Sequence, residues 1–336
     1  MSKELEMNLD GSHERTPSVR DFFKRISRIQ GVSAIFPLAV LVIFLTLTTD
    51  AFLTKANLMN VLRQAAVYAI MATGMTFVLL TGGVDLSQGS VLAFSCVVCA
   101  MTLNATGIVW LSILVTILAG ALVGYLNGAI VAYVKLPPFI VTLGSMYMVR
   151  GLTLHMTGSR QVSIRGFQSL TAMGQGFFLD IPIPVYIFLV VGVLAQLFLT
   201  YTSTGRQIFA VGSNRVTARL SGVKVEKIIT LVYVLSAVCV SLAGIVYLAR
   251  LTAAQPTTGE GYEMEAIAAA VVGGTSQAGG EGGVLGTLIG AVIIAVIRNG
   301  LVLLGVGSYF TKIVVGAIIV VAVALDVTRR RLRANK

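Results

Sequence analysis

Apolar residues in this chain run in long unbroken stretches, and the polar ones collect between them. Against the roughly 20 residues a helix needs to cross a bilayer, the runs predict about ten membrane segments: 34–50, 61–81, 89–104, 108–134, 138–156, 184–201, 228–250, 264–274, 283–304 and 310–327. The runs at 89–104 and 264–274 are short and are expected only to dip into the membrane. Because apolar character is continuous rather than alternating, strands of a barrel wall are not expected. The expected fold class is all-α, a polytopic helical bundle with short or broken helices.

Two of the runs break into glycine-rich polar segments and then resume at Val-Leu: Thr81-Gly-Gly-Val-Asp-Leu-Ser-Gln-Gly-Ser90 and Gly273-Gly-Thr-Ser-Gln-Ala-Gly-Gly-Glu-Gly-Gly283. Paired breaks in corresponding positions of two halves point to a transport path. Further along, Asn127-Gly128 with Gly144 repeats as Asn299-Gly300 with Gly316 at the same spacing. An internal repeat is expected, with chance agreement among the many glycines as its rival, and the letters leave its orientation, parallel or inverted, open. Two glycine ladders, Gly120, Gly124, Gly128 and Gly282, Gly286, Gly290, have a four-residue period that puts each set on one helix face. Backbones can approach closely there, so both faces are expected to be helix contacts, within the bundle or between subunits. Pro137-Pro138 opens the next run, where a missing N–H costs least.

Composition agrees: 56% of the 336 residues are hydrophobic and 12% charged, with mean hydropathy +0.89, far from an ordinary soluble domain. A net charge of +11 could suggest nucleic acid, but its placement argues against that partner. The cations cluster in the arm (Arg15, Arg20, Lys24, Arg25, Arg28), in the loop at 202–227 (Arg206, Arg215, Arg219, Lys224, Lys227) and in the tail (Arg329, Arg330, Arg331, Arg333, Lys336). The alternate linkers hold only Lys55, Arg160 and Arg165, with Arg250 at a span end. The positive-inside rule then gives a cytoplasmic arm at 1–33, a transmembrane domain at 34–327 and a basic cytoplasmic tail at 328–336. It also makes 202–227 cytoplasmic and 157–183 extracytoplasmic, with anionic-lipid contact secondary. The first thirty residues carry acids as well as bases, and no removable signal peptide is expected. Cys96-Val-Val-Cys99 has redox spacing, but it lies, like Cys239, inside an apolar run and reads as small hydrophobes.

Catalytic chemistry has little to work with. There is no G-x-x-x-x-G-K-[ST] phosphate loop and no G-x-S-x-G elbow. Histidine occurs only at His13 and His155, and no cluster has metal-ligand spacing, so neither metal, cofactor nor catalytic residue is expected. Asp85, beside Ser87 and Gln88 with Gly82, Gly83 and Gly89 around it, reads either as a polar wall or hinge of a permeation path or as a solvated turn capped by Asp85 and Ser87. Glu260, Glu263 and Glu265 suit an outer mouth, where carboxylates accept hydrogen bonds from a solute's hydroxyls, or a first helical turn favoured by the dipole. Arg63, Arg150, Arg250, Arg298 and Lys312 lie near span ends and are expected to snorkel to headgroups. For proton coupling only Asp85, Glu265 and Asp326 are eligible, each close to a span end.

The loop from Tyr201 to Lys227 is long and patterned. Asn214 is a good N-cap and Gly222 a good helix stop. Between them Val216 and Leu220, with Arg215 and Arg219 beside them, predict a short amphipathic surface helix that docks a cytosolic partner or rests on lipid.

Taken together the segments resemble the permease subunits of ATP-binding-cassette importers for monosaccharides (ribose, xylose, arabinose, galactose, autoinducer-2), closest to the ribose type. The resemblance is carried by Gly74-Met75-Thr76, Gly82 to Ser90, Asn127-Gly128, Pro138 to Gly144, Arg150-Gly151, Thr204-Gly205-Arg206, Gly212-Ser213-Asn214, Ala218 to Val223, Ala254-Gln255-Pro256, Gly261-Tyr262-Glu263, Ala266 to Ala269 and Val272 to Ser276. Glu265 departs from it, standing where aspartate is expected. The resemblance implies a bacterial inner-membrane importer moving a small sugar by alternating access. It also implies a separate cytosolic ATPase bound at Thr204, Gly205, Arg206, Gly212, Asn214, Ala218, Arg219 and Gly222, an external sugar-binding protein, and a second permease copy. The translocation path is expected along Asp85, Ser87, Gln88, Asn127, Phe139, Thr142, Glu263, Glu265, Gly273 and Gly274. The alternative is an ion-coupled secondary sugar transporter, which would need no partner.

Overall fold

The structure, a computed structural model, describes residues 34–334. The basic arm 1–33 and residues 335–336 lie outside the described residues, as do the side chains of Asp326, Arg329, Arg330, Arg331 and Arg333.

Every one of the ten apolar segments forms a helix. In chain order the elements are α1 (Ile35–Thr48), α2 (Lys55–Leu80), α3 (Gln88–Thr106), α4 (Val109–Ala129), α5 (Pro138–Thr157), β1 (Val162–Ser163), α6 (Gln168–Gln175), β2 (Phe177–Phe178), β3 (Ile181–Pro182), α7 (Ile183–Tyr201), α8 (Ser203–Ser213), α9 (Arg215–Leu220), α10 (Val225–Leu251), β4 (Ala253–Ala254), α11 (Tyr262–Val272), α12 (Val284–Leu303) and α13 (Ser308–Ala334). Among the described residues α2, α3, α4, α7, α10 and α12 are long and apolar enough to cross a membrane. The fold is all-α and polytopic, and length and composition qualify six of the ten segments rather than all of them. Expected only to dip, α3 has 19 residues, about 28 Å at 1.5 Å per residue, and is one of the six. With 11 residues, α11 spans about 16 Å and stays too short. Strands do occur, as two-residue pairings: β1 with β4 and β2 with β3, both antiparallel. They tie the connecting segments together outside the bundle.

Depth in the bundle follows the side chains. A helix apolar all round belongs inside, and α2 is buried continuously from Ala65 to Leu80. Its neighbour α10 crosses beside it and also packs on α3 and α4. By contrast only 22% of the apolar stretch of α4 and the π-helical turn that extends it (Ile130–Val134) is buried, and Leu114, Leu118, Leu122 and Tyr125 face outward. The buried minority of α4 is its glycine ladder together with Ser112, Thr116 and Asn127. A Cβ on Gly124 would stand 2.7 Å from the Cβ of Ala237, and one on Gly128 would stand 2.7 Å from the Cα of Thr230. The two helices therefore meet nearly backbone to backbone, inside one chain. The second ladder is shorter than its spacing suggests. Gly286 and Gly290 lie on α12 against α11, but Gly282 precedes the helix with φ +140 and turns against Thr275.

Two ends of the bundle can be told apart. One carries α8 and α9, the C-terminus of α2 and the N-terminus of α12. At the opposite end lie α6, the β2–β3 hairpin and the N-terminus of α2, where Arg63 donates to the Gln175 carbonyl (2.9 Å) and stacks on Phe177.

Candidate functional site

Residues 81–87 leave helical geometry between α2 and α3 at a depth where the backbone needs partners from the protein itself. Leu79 and Val78 carbonyls accept from the Gly82 and Gly83 amides at 2.8 and 3.1 Å, and Gly82 takes φ +72, a conformation that glycine adopts without cost. Beyond the turn the segment is held by side chains. The Val84 carbonyl accepts from Tyr233 Oη (3.2 Å) and Thr142 Oγ1 (3.3 Å). Asp85 Oδ1 accepts from the Ser87 amide (3.1 Å) and hydroxyl (2.6 Å), and Oδ2 accepts from Ser236 Oγ (2.9 Å). Asn127 Nδ2 donates to Ser87 Oγ at 3.0 Å. Gln88 Nε2 reaches the Met71 carbonyl (3.3 Å) and Ser236 Oγ (2.9 Å), which places the start of α3 partway along α2 rather than at its tip.

Asp85 is 2% exposed, so a solvated turn is not what the chain builds here. The segment is a buried break, closed by α4, α5 and α10. Five of the expected path residues, Asp85, Ser87, Gln88, Asn127 and Thr142, meet in this single network. Phe139 does not join it; one turn before Thr142, it points outward and is 56% exposed.

The second break, 273–283, is built differently. Gly273 and Thr275 amides close onto the Ala269 and Ala270 carbonyls at 3.0 and 2.9 Å. Gly274 takes φ +96, and any Cβ on Gly273 would run into the Gly286 backbone. A threonine relay crosses to the first half: Thr287 Oγ1 lies 2.8 Å from Thr76 Oγ1 and 3.4 Å from Thr275 Oγ1. Gln196 on α7 caps α12 by accepting from the Val284 amide at 2.9 Å.

The two breaks touch. Gly280 donates its amide to the Leu80 carbonyl at 2.9 Å, and the partner of this junction is the basic surface element. Arg215 Nη2 donates to the Thr81 carbonyl at 3.1 Å, and Gly212 at the end of α8 lies so close that a Cβ there would collide with the Leu80 carbonyl and the Gly280 amide. The predicted short helix is present as α9, with Asn214 Oδ1 accepting from the Val216 and Thr217 amides (2.9 and 3.0 Å) and Gly222 at φ +83. Ala218 faces inward while Val216 and Leu220 are exposed. Arg219 pairs with Glu226 on α10. The helix before it, α8, is not anticipated by the sequence pattern; Thr202 caps it by accepting from the Gly205 amide at 2.9 Å.

Glu263 and Glu265 lie in the first turn of α11 and are both buried. Glu265 Oε1 pairs with Arg298 Nη2 at 3.3 Å, and Arg298 also donates to Tyr68 Oη and lies over the Tyr262 ring. Arg150 donates to the Pro256 and Thr258 carbonyls at 2.6 and 2.8 Å. Arg150 and Arg298 are therefore tethered inside the protein, and Arg63 is tied to the Gln175 carbonyl at its edge, because carbonyls and a carboxylate lie within reach of the guanidinium groups. Sequence reasoning also missed Tyr233 and Ser236, whose signal was two polar residues three apart in an otherwise apolar run. Among the described residues no group of histidine, cysteine and acid could hold a metal ion.

Buried helices, interrupted twice at depth and joined at both breaks to one basic surface element, define a polytopic membrane protein of the transport class. Residues 57–323 match the branched-chain amino acid transport system / permease component family, and the chain belongs to that family. It is 43% identical to the ribose import permease protein RbsC of Escherichia coli (strain K12), over 93% of this chain and 98% of that protein. The RbsC protein of Bacillus subtilis (strain 168) is 41% identical, with 89% and 93% covered. The D-allose transport system permease protein AlsC of E. coli is 38% identical, with 87% and 90% covered. No solved structure matches the chain. The chain is thus the permease subunit of an ATP-binding-cassette importer, a transport subunit whose ATP hydrolysis is done by a separate ATPase and whose family works with a periplasmic binding protein.

Proposed function

We propose that this permease moves a monosaccharide of the ribose class inward by alternating access, and that the breaks at 81–87 and 273–283 are the hinges of that motion. The names and similarity of the relatives support the sugar class. The observation that carries the mechanism is the junction at Leu80. One carbonyl end of α2 is held by Gly280 of the other break and flanked by Arg215 and Gly212 of the basic element. A push on α8 and α9 from an ATPase therefore reaches both breaks through one junction, in which Arg215 holds the Thr81 carbonyl.

In this reading about ten segments cross or enter the membrane, and the basic end and both termini face the bacterial cytoplasm, as the positive-inside rule requires. The exposed Val216 and Leu220 engage the ATPase, alongside Thr204, Arg206 and Arg219. Asp85, Ser87, Gln88, Asn127 and Thr142 form the polar wall of the path, Gly273 and Gly274 its second bend, and Glu263 and Glu265 lie toward its outer mouth. A second permease copy covers the outward face of α5 that carries Phe139.

Reconstitution tests this directly. The chain with its ATPase and binding protein should accumulate ribose in vesicles only when ATP is supplied on the side of the basic element. Accumulation by the chain alone under a proton or sodium gradient would replace this reading with an ion-coupled transporter.

A further inference from the structure

Between α2, α10 and α11, toward the end opposite α8 and α9, lies an open cavity of about 200 Å³ lined by Gln64, Val67, Tyr68, Tyr247, Arg250 and Tyr262. It is separate from the network around Asp85. Its rings are set at angles to one another: Tyr68 and Tyr262 have centroids 5.2 Å apart at 66°, and Tyr247 and Tyr262 are 6.4 Å apart at 72°. Behind them Arg298, paired with Glu265, lies 5.7 Å from the Tyr68 centroid and 5.4 Å from that of Tyr262. The rings are therefore held from the protein side before anything enters.

We propose that this cavity is a waiting site for a single neutral sugar ring within one permease copy, a proposal that rests on the monosaccharide reading above. Its volume lies below the ~300–1,000 Å³ of sites for drug-sized ligands, which leaves room for one ring and not for a disaccharide. Sugars present apolar C–H faces and a rim of hydroxyls. Tyrosine matches both with an apolar body and a polar tip, while the Gln64 amide offers donors and an acceptor and Arg250 offers donors only. Gln64 Nε2 lies 3.4 Å from Tyr68 Oη, and a lipid tail would offer neither Gln64 nor Arg250 a further hydrogen bond, while a cation would meet Arg250. Position favours the same occupant. Tyr68 lies on the helix that runs into the first break and Tyr262 begins the helix that runs into the second, so a ring held here touches both moving arms before either break rearranges.

The test is equilibrium binding of radiolabelled ribose, allose and xylose to the full-length permease with its ATPase in nanodiscs, without the binding protein. At least one sugar should bind saturably. Gln64→Leu and Tyr247→Ala should each weaken that binding about tenfold, the size of one lost hydrogen-bond or ring contact, while Tyr247→Phe, which keeps the ring, stays closer to the parent than Tyr247→Ala and controls for folding. If the complete importer takes up sugar but the permease binds none saturably, or binds it equally well in all three variants, the waiting site is refuted and the proposed function stands. If the complete importer takes up none of the three sugars, the monosaccharide reading fails and the waiting site with it.

Discussion

Ser236 donates its hydroxyl to Asp85 Oδ2 at 2.9 Å while accepting from Gln88 Nε2 at the same distance. One small side chain on α10 thus fastens both sides of the first break. Removing a partner from a buried hydrogen bond costs more than the bond contributes net, about 1–3 kcal/mol. Ser236→Ala is expected to lower the thermal midpoint of the detergent-solubilised protein and to slow uptake, with Asp85→Ala more severe because three donors lose their acceptor. Unchanged melting in both variants would mean the break is held some other way.

Glu265 and Arg298 give a different kind of prediction. Their carboxylate and guanidinium lie 3.3 Å apart with 6% and 26% of their side chains exposed. Truncating one partner of a buried ion pair costs about 3–5 kcal/mol because a charge is left behind, whereas replacing both is far milder. Arg298→Met should therefore destabilise the protein more than the double replacement Glu265→Gln with Arg298→Met. A double variant as unstable as the sum of the two single ones would show that the pair is not coupled.

Cys96, Cys99 and Cys239 are all buried and unbridged, and Cys96 Sγ lies 3.2 Å from the Gly244 carbonyl. Thiol chemistry needs an accessible thiolate. A membrane-permeant maleimide is expected to leave the native protein unmodified and to label it fully once it is unfolded in dodecyl sulfate. Rapid labelling of native Cys96 or Cys99 would restore the redox reading of their spacing.

Much of this was legible in the letters, and the reasons differ by element. All ten apolar runs are helices because an apolar run without strand alternation satisfies its backbone groups within itself as a helix. Asn214 and Gly222 bound α9 as their capping habits require. The region of the first break was visible because glycine clusters mark irregular backbone, but its closure depends on Tyr233 and Ser236, which are 149 and 151 residues from their partners in sequence, and local patterns carry no such information. Helix α8 was hidden by its own glycines. Gly205 and Gly212 weaken a helix in isolation, yet both are demanded by close approach, to Leu199 and to Leu80. Arg298 reads as a residue at a span end until the fold supplies Glu265 and Tyr68.

The mechanical core of the account is that force applied to the basic element reaches the breaks through Arg215 and the Thr81 carbonyl. The most direct measurement is the amount of ribose moved per ATP hydrolysed by the reconstituted importer, with and without Arg215→Met. Losing a charge-assisted hydrogen bond of about 1.5–3 kcal/mol at the point of transmission should lower that ratio about tenfold or more. A ratio equal to that of the unaltered importer would contradict the account, because the drive would then be reaching the path by another route.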